Sequence, residues 1–274
     1  MNIRHFANAK PLTSFFVLAY AIAWMAWAPL ILSPKGLGWI GINVPFETVV
    51  PGAFAPTIAA LVIQWFTVRN LRICRLIGSW PRFFLGLAVG LALIVTGYVV
   101  VPALAITKSI GLLRWKTFLS WSAYGCNFST FFGGPVNEEP GWRGFALPRL
   151  QARFGPLGAA LTLGVLWAGW HLPLFLIHGW SRLPVWAYVI VVTSLSILMT
   201  FVFNMSGSSI LVCIWMHAIF NTCFILLLGS LLANAPLRPH SLLIYLASIL
   251  ALPLAIILST RGRLGRAQCD PPVA

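Results

Sequence analysis

The fold class is decided by residues 183–237, LPVWAYVIVVTSLSILMTFVFNMSGSSILVCIWMHAIFNTCFILLLGSLLANAPL, which contain no Asp, Glu, Lys or Arg. A helix that crosses a bilayer needs about 20 apolar residues, so this run is long enough for two. The polar group at residues 204–209, NMSGSS, is the natural point of division. We therefore predict two successive membrane-spanning helices here.

Six further uncharged runs are each long enough to cross a bilayer. They are Leu12–Leu32, Val49–Val68, Phe83–Thr107, Thr117–Asn137, Phe154–Ser181 and Pro239–Thr260. A backbone exposed to lipid must satisfy its hydrogen bonds internally, which favours helices. The predicted fold class is all-α, a polytopic membrane bundle of about eight transmembrane helices that forms a single domain over residues 1–274.

Composition excludes a soluble globular enzyme, because 59% of the 274 residues are hydrophobic and only 8% are charged. The net charge of +14 resides mostly in short connections between apolar runs, where it orients a membrane protein, so we expect no nucleic-acid partner. With eight spans, most basic residues, Arg143, Arg149 and Arg153 among them, share one side with both termini. Arg182 falls on the other side. This bias predicts cytoplasmic termini.

Two of the four acidic residues, Glu138 and Glu139, are adjacent at the end of an apolar run. A charged side chain at the centre of a membrane helix costs about 2.5–3.5 kcal/mol on insertion scales, so such acids are functional candidates. If the chain is helical here, Glu139 and Arg143 pair four residues apart and Glu138 stays free to act as a general base toward water. Residues 139–153 are predicted to form a short amphipathic or re-entrant stretch. The alternative is that both glutamates form solvated ion pairs with Arg143 and Arg149 at the membrane surface.

Two histidines lie inside apolar runs, His171 in the fifth and His217 in the seventh span. Asn221 follows His217 by four residues, so both lie on one helical face. Together with Glu138, these side chains could build a polar pocket among apolar helices. Cys213 shares the face of His217 and offers an alternative nucleophilic pair, although a packing role is more common for such a cysteine.

Two mechanisms fit this pocket, and either makes an acyl hydrolase. In the first, Glu138, His171 and His217 bind zinc, whose water attacks a carbonyl, although the HExxH signature is absent. In the second, Glu138 and His171 activate water without a metal, while His217 and Asn221 donate hydrogen bonds to the oxyanion. Asn221 favours the second mechanism, because an amide is an uncommon zinc ligand and a good hydrogen-bond donor.

The segment EEPGWRG at residues 138–144 resembles the EExxxR motif of the CPBP family, the CAAX protease and bacteriocin-processing membrane peptidases. The stretches Trp167–His171 and His217–Asn221 resemble the second and third motifs of that family, in the same order. The resemblance covers residues 115–232 as a catalytic core. It implies that Glu138 is the catalytic acid or base, that His171 assists it, and that His217 and Asn221 form the oxyanion site. Glu139 and Arg143 would then be structural support.

The resemblance implies an intramembrane endopeptidase that cleaves a membrane-anchored peptide or protein, including prenylated CAAX-type substrates, with zinc or with no cofactor. Its expected surroundings are the lipid bilayer, and its short loops resemble those of bacterial inner-membrane members. The sequence gives no indication of oligomeric state. Two alternatives remain: a non-catalytic bacteriocin self-immunity protein with an idle site, and a proton-coupled transporter, which is disfavoured because the chain has no inverted repeat.

Overall fold

The part of the chain described by the computed structural model, residues 9–68, 76–100, 133–232 and 239–266, is built of helices and contains no strand. This confirms the predicted all-α class. We number the α-helices in chain order: α1 Pro11–Leu32, α2 Val49–Ala53, α3 Ala55–Val68, α4 Trp80–Val95, α5 Pro135–Glu139, α6 Leu147–Trp170, α7 Val185–Met205, α8 Ile210–Leu232 and α9 Pro239–Ser259. Short 3₁₀ helices cover Phe46–Thr48 and Leu172–Leu176, and π-helical turns cover Thr96–Val100 and Pro140–Ala146.

Six helical segments of the described chain are long and apolar enough to cross a membrane. They are Pro11–Leu32, Phe46–Val68, Trp80–Tyr98, Pro135–Leu176, Val185–Met205 and Leu242–Ser259. The protein is thus a multi-pass membrane bundle. The predicted count of eight is not established, because most of the run Thr117–Asn137 lies outside the described residues.

The predicted division of the longest apolar run is confirmed. Helix α7 ends at Met205 and α8 begins at Ile210, so the turn falls within the polar group. Ser206 and Ser209 are buried there, and the Ser209 hydroxyl donates a hydrogen bond to the Leu76 carbonyl oxygen at 2.9 Å. The Ser209 side chain therefore satisfies a backbone carbonyl of a neighbouring segment.

The segment Pro135–Leu176 reverses direction at Gly155. This glycine has φ 69° and ψ 174°, a left-handed backbone that side chains with a Cβ rarely adopt, and Pro156 follows it. Side chains on either side of the turn meet again, since the Trp142 and Trp170 ring centroids lie 5.6 Å apart. The turn consequently brings Glu138 and His171 to the same end of the bundle.

Residues 139–147 lie inside the bundle, so of the two forms expected for residues 139–153, amphipathic or re-entrant, the amphipathic one is wrong. Trp142, Arg143, Phe145 and Leu147 are all fully buried. A surface helix would expose its basic residue, whereas Arg143 has an ion-pair partner inside the protein. The assignment of Arg143 to a solvent-exposed connection is wrong for the same reason.

Helix α1 packs along this reversed segment through aromatic side chains. Phe16 stacks on Trp142 with ring centroids 6.0 Å apart. The Tyr20 hydroxyl donates to the Leu166 carbonyl oxygen, and the Trp24 indole donates to the Trp170 carbonyl oxygen at 3.0 Å. These bonds hold the end of α6, where His171 follows.

Helix α3 supports the segment from the other side. The Thr57 hydroxyl donates to the Asn137 carbonyl oxygen at 2.5 Å, and Arg149 donates to the Gln64 side-chain oxygen at 3.0 Å. A Cβ on Gly141 would lie 2.4 Å from the Pro56 carbonyl carbon, so the two backbones approach as closely as glycine permits. Residues next to Glu138 and Glu139 are therefore held by backbone contact.

We expect Gly141→Ala to destabilise the protein by about 1–3 kcal/mol, because the added methyl group meets backbone that cannot move away cheaply. Unfolding of the purified protein in detergent, followed by tryptophan fluorescence, measures this change. Gly41→Ala is the matched control, since Gly41 is exposed and its added Cβ would meet no atom within 4 Å. Equal stability of the two variants would contradict the close packing.

Candidate active site

A cavity of about 490 Å³ collects the four predicted catalytic side chains. Glu138, His171, His217 and Asn221 all line it, although they come from three separate parts of the chain. Its volume lies within the range of about 300–1,000 Å³ that small-ligand sites occupy. Glu139 and Arg143 do not line it and lie behind its wall.

Glu138 is only 4% exposed, and two indole groups bind its carboxylate. Oε2 accepts hydrogen bonds from Trp167 Nε1 at 2.8 Å and from Trp142 Nε1 at 3.3 Å. Both donors bind the same oxygen, so the carboxylate is held in one orientation. Glu138 was predicted to stay free beside the Glu139–Arg143 pair; it takes no part in that pair, but two indole donors that were not expected bind it.

The other oxygen of Glu138 lies beside Gly134. A Cβ placed on Gly134 would be 3.0 Å from Glu138 Oε1 and 3.8 Å from Asn221 Nδ2. Glycine therefore leaves open the space between the carboxylate and the amide. One proton acceptor, Glu138 Oε1, and one hydrogen-bond donor, Asn221 Nδ2, border that space.

Glu139 binds both the Arg143 guanidinium and the His217 imidazole through one oxygen. Its Oε1 accepts a hydrogen bond from Arg143 Nη1 at 3.0 Å, so the predicted ion pair is present. The same oxygen accepts from His217 Nδ1 at 2.8 Å. This orients the imidazole and leaves Nε2 for the cavity, which is a second task for Glu139 beyond the predicted support.

The surface alternative for the two glutamates is wrong. Glu139 is fully buried with Arg143, and Glu138 is almost fully buried. Arg149 binds neither glutamate within the hydrogen bonds of the described chain and instead donates to the Phe145 carbonyl oxygen and to Gln64. The two glutamates therefore lie inside the protein and are not solvated at the membrane surface.

His171 follows the last residue of α6. Its Nδ1 donates to the Trp167 carbonyl oxygen at 2.9 Å, since a carbonyl oxygen can only accept. In the neutral ring, Nε2 then carries the free lone pair and can accept a proton. Trp180 stacks against the ring at 5.8 Å between centroids, and Tyr188 meets it edge-on at 5.6 Å.

Asn221 lies one helical turn after His217 on α8 and is partly buried. The predicted sharing of one helical face agrees with the cavity, which both side chains line. Cys213 is fully buried but is not among the residues that line the cavity. A nucleophilic role for Cys213 therefore lacks access to a substrate.

The residues offer little support for a metal site. Among the described residues, no group of three His, Cys, Asp or Glu side chains is close enough to hold a metal ion. The hydrogen bonds at Glu138 Oε2 and His217 Nδ1 are compatible with metal binding through the other atom of each group, so it is the separation of the described donors that counts against a metal. This donor set does not fit zinc, so we derive no step through a metal.

Two features of the site escaped the sequence analysis. Neither Trp142 nor Trp167 was predicted as a site residue, yet their indole N–H groups bind Glu138. Arg182 was placed on the opposite side of the membrane from Arg143, whereas it lines the same cavity as Glu138. The reversal at Gly155 explains this error, because residues 139–151 form a largely buried helical segment and not a connection.

We expect Trp167→Phe to lower kcat by about 10–100-fold, because it removes a hydrogen bond to a charged group, worth about 1.5–3 kcal/mol, while keeping an aromatic ring. The carboxylate then loses its shorter indole contact and its fixed orientation. Initial rates over a range of substrate concentrations separate kcat from KM. Trp39→Phe is the control, since it makes the same substitution at an exposed indole that does not line the cavity. An equal loss in both variants would contradict the role of Trp167.

Comparison with known proteins identifies a family that this region of the chain resembles. Residues 120–223 match the family model described as type II CAAX prenyl endopeptidase Rce1-like, and this range contains all four predicted catalytic residues. The chain is also 26% identical over 176 residues to a protein of Methanococcus maripaludis named CAAX prenyl protease 2. That match covers 61% of this chain and 62% of the relative, which is less than two thirds of the relative's length.

Proposed function

Because the chain belongs to the CAAX protease and bacteriocin-processing family through its Rce1-like region, we propose that it is an intramembrane endopeptidase acting on membrane-anchored peptides or proteins. Prenylated CAAX-type peptides are the first substrates to consider. The observation that carries the proposal is the meeting of Glu138, His171, His217 and Asn221 in one cavity of about 490 Å³. The match to an endopeptidase family does not favour the alternative of an idle immunity protein.

In the proposed reaction, Glu138 and His171 activate water. A water molecule in the space beside Gly134 gives a proton to Glu138 Oε1, while its oxygen attacks the carbonyl carbon of the scissile peptide bond. Oε2 stays bound to the two indoles, so the carboxylate does not rotate away. The lone pair on His171 Nε2 accepts a hydrogen bond from the same water and orients it.

His217 and Asn221 are proposed to stabilise the oxyanion that forms on the carbonyl oxygen. The Asn221 amide can donate directly. Since His217 Nδ1 donates to Glu139, its Nε2 donates only when the ring is protonated, and the Glu139 carboxylate supplies the countercharge. Collapse of the intermediate breaks the C–N bond, and the proton held by Glu138 passes to the departing amine. The products are one new carboxylate and one new amine.

The direct test is hydrolysis by the purified full chain in liposomes, with a panel of peptides anchored by a prenyl or an acyl chain. We expect at least one anchored peptide to be cleaved at a single bond, and the same peptide without its anchor to be cleaved more slowly. Failure to cleave any member of the panel would contradict the proposal.

Treating the protein with a zinc chelator tests whether the reaction proceeds without a metal. We expect activity to survive prolonged treatment with a zinc chelator, because the proposed proton transfers use only side chains. Loss of activity that added zinc restores would instead show that a metal acts in the reaction. Cleavage without chelator is measured first, so a failure of the metal-free mechanism can be told apart from a failure of the endopeptidase proposal.

We propose that the protein resides in a bacterial inner membrane with cytoplasmic termini. The basic residues outside the spans support this orientation, although Arg143 no longer contributes to the bias because it is buried. Accessibility of single cysteines introduced near each terminus to an impermeant reagent tests the orientation. Labelling of the termini from the periplasmic side would contradict it.

A further inference from the structure

Three arginines lie just past the end of the last membrane-spanning helix. The span Leu242–Ser259 ends with α9, and the residues that follow it, TRGRLGR at 260–266, contain Arg261, Arg263 and Arg266. The first two are exposed and Arg266 is half-buried. None of them lines the cavity, so the proposed reaction leaves these three cations without a task.

Residues 260–266 form two consecutive tight turns. The Arg263 backbone N–H donates to the Thr260 carbonyl oxygen, and the Arg266 backbone N–H donates to the Arg263 carbonyl oxygen, both at 3.0 Å. The two central residues of each turn have positive φ, as a type I′ turn requires. They are Arg261 at 51° with Gly262 at 75°, and Leu264 at 43° with Gly265 at 72°. The second arginine thus ends one turn and begins the next.

The double turn is fastened to the end of α7. Arginine and leucine rarely adopt positive φ, and such residues persist only where the surrounding structure holds them. Leu264 is fully buried, and its carbonyl oxygen accepts a hydrogen bond from Asn204 Nδ2 at 2.8 Å. A Cβ on Gly265 would lie 3.0 Å from Met205 Cγ. The three arginines are therefore presented at defined positions and not on a loose tail.

Positive charge is concentrated at this end of the bundle. In the part of the chain that the structure describes, both ion pairs belong to Glu139, so no carboxylate pairs with an arginine of the double turn. Exposed Arg82 is a neighbour, since its Nη1 lies 4.0 Å from a Cβ placed on Gly207 in the turn after α7. A Cβ on Gly262 would meet Leu157, four residues after exposed Arg153.

The phosphate of an anionic lipid fits these groups in chemistry and in depth. A planar guanidinium binds phosphate oxygens through paired, charge-assisted hydrogen bonds. The double turn directly follows the residue that ends the span, which is the level at which headgroups lie. Arginines clustered next to the end of a membrane helix are typical of segments that bind anionic lipids.

We propose that the double turn 260–266 is a binding site for the phosphate group of an anionic glycerophospholipid, held by Arg261, Arg263 and Arg266. The site is remote from the cavity. Tyr188 lines the cavity and Met205 meets the second turn, and the length of α7 between them is about 25 Å. Lipid binding here therefore goes beyond the proposed endopeptidase function and does not depend on it.

The test is a titration of the purified full chain in neutral detergent with dioctanoyl phosphatidylglycerol, with bound lipid counted by mass spectrometry of the intact complex. We expect saturable binding, and weaker binding of dioctanoyl phosphatidylcholine and of inorganic phosphate. Arg263→Gln should lower the affinity about fivefold, and the triple change to Gln at residues 261, 263 and 266 about 100-fold, the effect of one and of three arginines near an anionic lipid surface.

Two further variants separate a built site from net charge. Lys35→Gln removes one positive charge beside the cavity wall, where the Lys35 carbonyl oxygen accepts from His178, and should keep the wild-type affinity. Gly265→Ala keeps every charge but opposes the positive φ and the close contact with Met205. It should weaken lipid binding in protein that tryptophan fluorescence shows to be folded.

Each contrary outcome overturns the inference. Equal affinity of the wild-type protein for the two lipids, or an unchanged affinity in the triple variant, would remove the site. Inorganic phosphate bound as tightly as phosphatidylglycerol would assign the arginines to a soluble anion. An unchanged affinity in Gly265→Ala would reduce the effect to net charge. Since bound lipid is counted directly, a failure to cleave peptides would overturn the proposed function alone.

Discussion

Glu138→Gln is expected to lower kcat for an anchored peptide by roughly 10²–10⁴-fold, the usual contribution of a general base. The glutamine has the same size and can still accept the two indole hydrogen bonds through its amide oxygen. It cannot take a proton from water at Oε1, so the loss falls on the chemical step. Rates measured at saturating substrate, together with KM, test this separation.

Glu47→Gln is the matched control for this variant. Glu47 is the other described glutamate outside the pair, and it is exposed in the 3₁₀ turn before α2. It should leave both kcat and the unfolding temperature unchanged. If Glu138→Gln retains wild-type turnover while folded, Glu138 is not the base and the proposed mechanism fails.

Arg143→Met is expected to destabilise the protein by about 3–5 kcal/mol, because it leaves the buried Glu139 carboxylate without its cation. Arg143 and Glu139 are both fully buried, and the Arg143 guanidinium also lies 4.2 Å from the centre of the Trp167 ring. Its loss therefore disturbs both the Glu139 carboxylate, which binds His217, and the Trp167 indole, which binds Glu138. Unfolding in mixed detergent and SDS micelles measures the stability, and Arg153→Met is the exposed control.

The double variant Glu139→Gln with Arg143→Met should recover most of the lost stability. The remaining charge is removed, and the glutamine oxygen can still accept from His217 Nδ1. Within the described chain, Glu139 Oε2 and Arg143 Nε and Nη2 have no hydrogen-bond partner, so the ion pair is incompletely satisfied and its replacement costs little. A single variant as stable as the wild type, or a double variant no better than the single, would contradict this account of the pair.

The fold class followed from the sequence because apolar run length is set by bilayer thickness and needs no tertiary information. The turn between α7 and α8 was predicted correctly, since NMSGSS is the densest polar cluster near the middle of the run. The reversal at Gly155 was not predicted. Proline and glycine at residues 155–156 signal a break, but only the contact between Trp142 and Trp170 shows that the chain turns back.

The sequence predicts those contacts of the site that join residues one helical turn apart. Residues four apart, such as Glu139 with Arg143, share a face by geometry alone. The bond between Glu139 and His217 joins positions 78 residues apart, and no periodicity indicates it. The sequence analysis also missed that Arg182 lines the cavity. The side of the membrane assigned to a residue follows from the number of spans before it, and this number carries no information about contacts between distant residues.

The most direct test of the central claim is hydrolysis of an anchored CAAX-type peptide in water enriched in ¹⁸O, with the masses of both fragments measured. The account predicts one ¹⁸O atom in the new carboxyl group of the wild-type product and almost no product from Glu138→Gln over the same time. Equal labelled product from both proteins would contradict the assignment of water activation to Glu138. Absence of any cleavage by the wild-type protein would contradict the endopeptidase itself.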